Sequence, residues 1–540
     1  MRHINEERRQ RGLGLSKRLD DIGAEKHALV LQLKSLDAEV KAIHMETRVL
    51  HNLNAPTSDI PDEVLVMIFE TAVQDERNSP SQWSLLTCPT FISHVSHRWR
   101  SIILATPSLW TDIQCFRVPR KVQGASSSGA FEESTVWEER KGWREQAAAH
   151  LSRSASMPLR IHLRELGNAE TDEDFFQFIS AQIPRCRELS VESTHSVARL
   201  FRTFALQPTL PLRSLQVVLD PQDKPSQTVF QEPLFPAGAP HLVTAHLGGF
   251  CLADNIRIFL SAIAAVTSLR LTNVDLSSHS PGRSVYNEFR TGLMGLAALS
   301  HLELDGVFFD LRTAYTLPIV LPNLHFLYLR AVRPYGTLDI IQAIRSIHAP
   351  ALVTLALTSH NSELYRLSEL HFPALKHLIL VSKYNRFPNL DMHAPLFSQI
   401  ERVSLADFSL DEGDGVDTVL MSVFGSHQQQ GHDSVTPGLL WRWPNLKIIA
   451  IQATIYPKFQ STRSAMCNII RMLQGSENSL QKLMLPRSLL ETVDADAKER
   501  LEKVVEIEEV SKREDFYDDW PQPFTIRREG YVFICAITFG

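Results

Sequence analysis

Between Leu15 and Leu50, apolar residues return at alternating spacings of three and four. Leu19, Lys26, Leu33, Val40 and Thr47 take the a positions of a heptad, and Leu15, Ile22, Leu29, Leu36, Ile43 and Leu50 take the d positions. A 3.5-residue apolar repeat held over about five heptads predicts a long helix with a coiled-coil seam. Its charged flanks suit water, and Lys26 at an a position restricts the partner or oligomer state. Two readings stay open here: self-association through the seam, or a solvated helix that folds back on the next domain. Asn54-Ala-Pro56 ends the pattern, because proline lacks the N–H and disfavours helix in the residue before it.

A shorter pattern comes next. In Asp59-Ile-Pro-Asp-Glu-Val-Leu-Val-Met-Ile-Phe-Glu70, Pro61 suits a first helical turn, and Asp62 and Glu63 favour the positive end of the helix dipole. Pro61, Leu65, Ile68, Phe69 and Ala72 recur at helical spacing. Gln74 to Pro89 reads as a loop, with turn chemistry at Asn78-Ser-Pro-Ser81. A second helix is expected with Ile92, Val95, Trp99, Ile102 and Ile103 on one face and His94, His97, Arg98 and Arg100 on the other. Thr106-Pro-Ser-Leu-Trp110 then punctuates the chain.

These residues resemble a known family. An Ile-Pro-Asp-Glu helix (Ile60–Glu63), a Val-Ser-His-Arg-Trp-Arg helix (Val95–Arg100) and a Thr-Pro-Ser-Leu-Trp segment (Thr106–Trp110), taken from about Val40 to Cys115, are similar to the F-box-like domain abundant in mushroom-forming fungi. That resemblance implies docking onto a Skp-type linker subunit, which connects to a cullin and its RING protein. Carried over by motif position, the docking residues would be Ile60, Pro61, Leu65, Ile68, Phe69, Val95 and Trp99. A physical argument runs alongside. Three short helices cannot bury so many large apolar side chains among themselves, and a leftover apolar face calls for a partner.

Residues 117–134, with Gly124-Ala-Ser-Ser-Ser-Gly129, have the composition of a flexible linker. Trp137 to Ser152 reads as a helix, and Leu159-Arg-Ile-His-Leu163 alternates like a strand. From there the chain repeats a Leu-x-x-Leu-x-Leu unit, as in Leu299-Ser-His-Leu-Glu-Leu304, Leu324-His-Phe-Leu-Tyr-Leu329 and Leu375-Lys-His-Leu-Ile-Leu380. Further copies begin at Arg187, Leu212, Val266, Leu352, Ile400, Leu446 and Leu480. Most intervals are roughly 23 to 34 residues, which brackets the leucine-rich-repeat period. Such units are stable only in series, because each buries its leucines against its neighbours. Helical returns are expected at Asp254 to Ile263 and Leu338 to Ile347. The residues between and after the leucines would face outward. Among them Arg270, Thr272, Glu303, Asp305, Tyr328, Arg330, Thr358 and Val381 mix charge, hydroxyl and aromatic groups, as a surface for a protein epitope would.

The expected fold is therefore multidomain: a coiled-coil helix (1–54), a small all-α F-box (55–116), a linker (117–134) and a C-terminal α/β leucine-rich-repeat-like solenoid (135–540). Composition narrows function further. With 44% hydrophobic and 21% charged residues the chain can build an ordinary core. A net charge of -6 without a basic stripe argues against nucleic acid. The six cysteines, Cys88, Cys115, Cys186, Cys251, Cys467 and Cys535, include no Cys-x-x-Cys pair, which points to free thiols in a reducing compartment. The charged N-terminus lacks the apolar core of a signal peptide, and the most apolar stretch, Ile258 to Val266, is too short to span a bilayer.

Candidate chemistry adds nothing catalytic. Asp411-Glu-Gly-Asp-Gly-Val-Asp417 fails the calcium-loop pattern, because the terminal Glu position falls on Ser422. His94 with His97, and His427 with His432, lack companion ligands. No phosphate-binding loop, dinucleotide fingerprint, nucleophile elbow or zinc-protease motif occurs. The expectation is a cytoplasmic or nuclear adaptor that needs no metal, cofactor or membrane. It would bridge the Skp-type subunit to a protein substrate of unknown identity, with the substrate on Arg270, Glu303, Asp305, Tyr328 and Arg330. The alternative is a scaffold that assembles through its coiled coil without ligase linkage.

Overall fold

In a computed structural model, the chain divides into two compact units, Met1–Leu109 and Trp110–Gly540. The described residues are 2–53, 56–78, 87–116, 145–164, 173–193, 211–219, 235, 238–249, 260, 263–274, 285–307, 317–330, 344, 346–358, 372–381, 399–410, 445–455, 480–490 and 495–510.

The first unit opens with one helix, α1, Arg2–Leu53. Residues 3–50 are exposed throughout, so within its unit the helix does not fold back on the described residues. Three more helices come after it: α2 (Asp62–Asn78), α3 (Cys88–Ser93) and α4 (His97–Ala105). Two expectations change here. The loop expected from Gln74 begins later, because α2 continues to Asn78 (residues 79–86 lie outside the described set). The single second helix is two helices. Pro89 starts α3, where a missing N–H costs nothing, and Ser96 caps α4 by accepting from the Trp99 backbone N–H at 3.1 Å. Val95 therefore lies in the turn between them.

The second unit is built on a 14-stranded sheet whose strands succeed one another in chain order, every pair parallel. It runs from β1 (Asp112–Phe116) and β2 (Leu159–Arg164) through β3 (Cys186–Ser193), β4 (Ser214–Leu219), β5 (Thr244–Gly248), β6 (Ser268–Thr272) and β7 (His301–Asp305). It continues through β9 (Phe326–Arg330), β11 (Thr354–Thr358), β12 (His377–Val381), β13 (Arg402–Leu410), β14 (Ile448–Ile455), β15 (Lys482–Pro486) and β16 (Glu506–Val510). The short β8 (Ile319–Val320) and β10 (Ile347–His348) form a separate parallel pair. Sequential parallel pairing requires a return segment between strands, and this α/β arrangement is solenoid-like. Helical returns include residues 145–153 and Val285–Met294. Most of the two helical returns expected at 254–263 and 338–347, and the whole linker expected at 117–134, lie outside the described residues.

All ten predicted repeat strands are present. Their leucines stand in register: Leu269 pairs with Leu302, Leu302 with Leu327, Leu327 with Leu355, and Leu355 with Leu378. This row belongs to one continuous buried core that reaches from Ile113 to Val505. Within the 14-stranded sheet the sequence pattern misses β1, β5 and β16. In β5 the middle leucine is Ala245, which is fully buried in the same row, so a small side chain hid the repeat. β1 also moves the expected module boundary at 116, since Ile113 pairs with Ile161 inside the sheet.

At the ends of β5, β6 and β7 the chain turns through Gly249, Asn273 and Gly306, each with positive φ and each donating its N–H to the next strand's last carbonyl. Gly249 is the most constrained, because a Cβ there would stand 2.0 Å from the Leu219 carbonyl oxygen.

Candidate interaction surfaces

In the first unit, Leu65, Phe69, Val73, Ile102, Ile103 and Leu109 are buried. Phe69 packs on Trp99 with ring centroids 5.0 Å apart, tilted by 58°. Arg98 ties α4 to the segment before α2. Its guanidinium donates to the Thr57 carbonyl at 3.1 Å, the Ile60 carbonyl at 2.5 Å and Asp62 Oδ1. Glu76 at the end of α2 accepts from the Cys88 backbone N–H at 3.0 Å, placing a carboxylate at the start of α3. Burial, with Glu76 nearby, pushes the Cys88 thiol up to about 11.

The seven docking residues carried over from the resemblance therefore divide. Leu65 and Phe69 are interior, not surface, and Phe69 faces Trp99 of α4; a partner cannot reach them. Trp99 and Ile60 are half-buried and Pro61 is exposed. Ile68 is 48% exposed and Val95 59%. Val64, Met67, Phe91 and Leu104 are exposed as well, although the apolar periodicity did not single them out. Their signal was legible for α2. Val64, Met67, Ile68 and Thr71 are spaced three and four apart, marking a second face beside the Leu65–Phe69 face.

In the second unit, the five residues expected on an open binding surface stand close together but are mostly inside. Arg270 on β6 pairs with Glu303 on β7 at 3.0 Å, and Glu303 accepts from His301 Nε2 at 2.8 Å. Asp305 on β7 pairs with Arg330 on β9. Tyr328 bonds through its hydroxyl to Thr358 Oγ1 at 3.0 Å, and His301 stacks on Phe326 at 4.4 Å. Glu303, Asp305 and Tyr328 are buried, which corrects the expectation that they face outward on a binding surface. Only Arg270 and Arg330 retain side-chain exposure, 17% and 37%.

The physical reason is that this face also carries a buried apolar cluster: Phe326, Tyr328, Ala356, Ile379, Val381, Ala450, Met484 and Val510. Parallel strands buried on both faces read as near-continuous apolar runs, and β12 (His-Leu-Ile-Leu-Val) is buried at every position. Charges in that setting persist only when paired. Burial pushes the Asp305 carboxyl up, against the pull of Arg330 and Arg270, and pushes the Tyr328 hydroxyl up to about 12. His246, bonded to Thr272 Oγ1 at 2.7 Å, is held well below its usual range by burial and by Arg270. His377, bonded to Ser404 Oγ at 2.8 Å, is lowered to about 3 by burial and by Arg402.

Among the described residues no group of His, Cys, Asp and Glu is arranged to hold a metal ion, and no helix is long and apolar enough to cross a membrane. The acidic segment 411–417 and the pair His427 and His432 lie outside the described residues. No family model matches the chain, and no curated protein matches it.

Proposed function

We propose that this chain is the substrate-recognition adaptor of an SCF-type cullin-RING ubiquitin ligase. In this reading the module expected at 55–116, less the β1 strand that the sheet takes from its end, is an F-box that docks the Skp-type linker subunit. The repeats form a leucine-rich-repeat-like domain that holds a protein substrate. Catalysis is then proximity alone, so no residue of this chain performs chemistry. The observation that carries the reading is the surface of the small helical unit. Its core is already filled by Leu65, Phe69 and Ile103, yet Met67, Ile68, Phe91 and Val95 remain exposed around it. Large apolar side chains gathered on so small a unit mark an interaction site.

The test uses the full chain and a purified Skp-type subunit. Ile68→Asp with Val95→Asp changes exposed residues only and is expected to weaken binding at least about tenfold. Wild-type protein that fails to bind, or a double variant that binds undiminished, overturns the assignment. A second reading, a scaffold that has lost ligase linkage, draws on the exposure of α1 over residues 3–50. It predicts self-associated chain without ligase subunits after affinity purification.

A further inference from the structure

The exposed seam of α1 has no covering partner among the described residues of its own unit, and its charge pattern says which partner suits it. We infer that α1 pairs with a second copy of itself in antiparallel orientation, about a two-fold axis near residue 28. Each side chain from Leu15 to Leu50 on the a and d positions is exposed; Leu19, for example, is 73% exposed and Leu33 63%. The helix also contains Gly12, Gly14 and Gly23 with nothing within 4 Å of their would-be Cβ atoms. Each glycine costs about 1 kcal/mol relative to alanine, and long helices owe most of their stability to packing. A solitary exposed helix of this composition is therefore poorly supported.

Orientation is set by the flanking g positions, which govern partner choice in coiled coils. In the heptad frame these are Arg11, Arg18, Glu25, Gln32, Glu39 and Glu46: basic first, acidic last. A parallel, in-register pair would place the basic ends of both copies side by side. The antiparallel pair sets Arg11 against Glu46 and Arg18 against Glu39, and the two-fold repeats each contact. The same alignment stacks Leu19 on Leu36, Leu33 on Ile22 and Val40 on Leu15, and sets Gly12 against Ile43. Lys26 faces Leu29 near the centre, where its stem can pack while its ammonium reaches water. The first turn of α1 carries no acidic residue to balance its dipole. An antiparallel partner brings its own acidic end and opposed dipole there.

The experiment uses the full chain. Sedimentation equilibrium is expected to show a dimer at about 10 µM chain. Arg11→Glu with Arg18→Glu turns attractive pairs into repulsive ones and is expected to weaken the dimer about tenfold, since each exposed pair contributes a few tenths of a kcal/mol. Adding Glu39→Arg with Glu46→Arg restores it. A Leu19→Cys, Leu36→Cys chain, oxidised and mapped by mass spectrometry, is expected to give cross-links between positions 19 and 36 of different copies. A monomer at that concentration, 19-to-19 cross-links, or failure of the compensating reversals overturns the inference. None of these outcomes depends on whether a Skp-type subunit binds.

Discussion

The charge pairs on the second face of the sheet can be tested through Glu303. This carboxylate is fully buried, lies 3.0 Å from Arg270 Nε and accepts from His301 Nε2 at 2.8 Å. Glu303→Ala removes the counter-charge of an arginine that is itself only 17% exposed. Breaking a buried pair by deleting one partner costs about 3 to 5 kcal/mol, because the remaining charge loses its compensation. For a unit of this size the urea dependence is near 3 kcal/mol per molar, so the midpoint should fall by about 1 M. Urea titration followed by far-ultraviolet circular dichroism reads this directly. Replacing both partners, Arg270→Met with Glu303→Leu, should recover most of the loss, since an apolar pair of similar volume is often neutral there. An open surface glutamate would behave differently, with an effect within about 0.5 kcal/mol. A midpoint change that small in Glu303→Ala would refute the buried-network account and restore Glu303 as a candidate contact for a partner.

Three further outcomes are expected. His377 titrates near 3 in the fold against about 6.5 when unfolded, so its neutral form stabilises the protein above pH 6.5 and that contribution is lost as pH falls toward 3; the urea midpoint should drop from pH 7.5 to 5, and His377→Gln should flatten that slope by up to about 1.4 kcal/mol per pH unit. Gly249→Ala, at φ +73 and with its Cβ against the Leu219 carbonyl, should destabilise by about 3 kcal/mol, measured by the same titration; a neutral result would mean the turn after β5 is not held as described. Cys115 and Cys186, buried and pushed up to about 12, should resist alkylation at pH 8 in the native protein and react on unfolding, with Cys88 also slow; rapid native labelling of Cys115, read by mass spectrometry, would contradict its burial.

Much of this protein was legible in its order of residues. Heptad spacing marked the helix from Arg2 to Leu53, because a repeat of three and four is a local property of a helix surface. The Leu-x-x-Leu-x-Leu units marked ten strands, because alternation records which side chains one face must bury. Where a unit lacked its leucine, as at Ala245, or its neighbours were charged, as at Glu506–Val510, the pattern gave no signal. Tertiary structure decided the rest. Leu65, Phe69, Ile68 and Met67 all recur on one apolar helix, and only the packing of the helical unit, with Phe69 against Trp99, buries the first two and leaves the others at the surface. Likewise Glu303 and Asp305 alternate with leucines as solvent-facing residues do. They are interior because β6 and β9 bring Arg270 and Arg330 beside them on a face that is itself buried. Periodicity reports which residues share a face, and only the assembled sheet reports what lies against it.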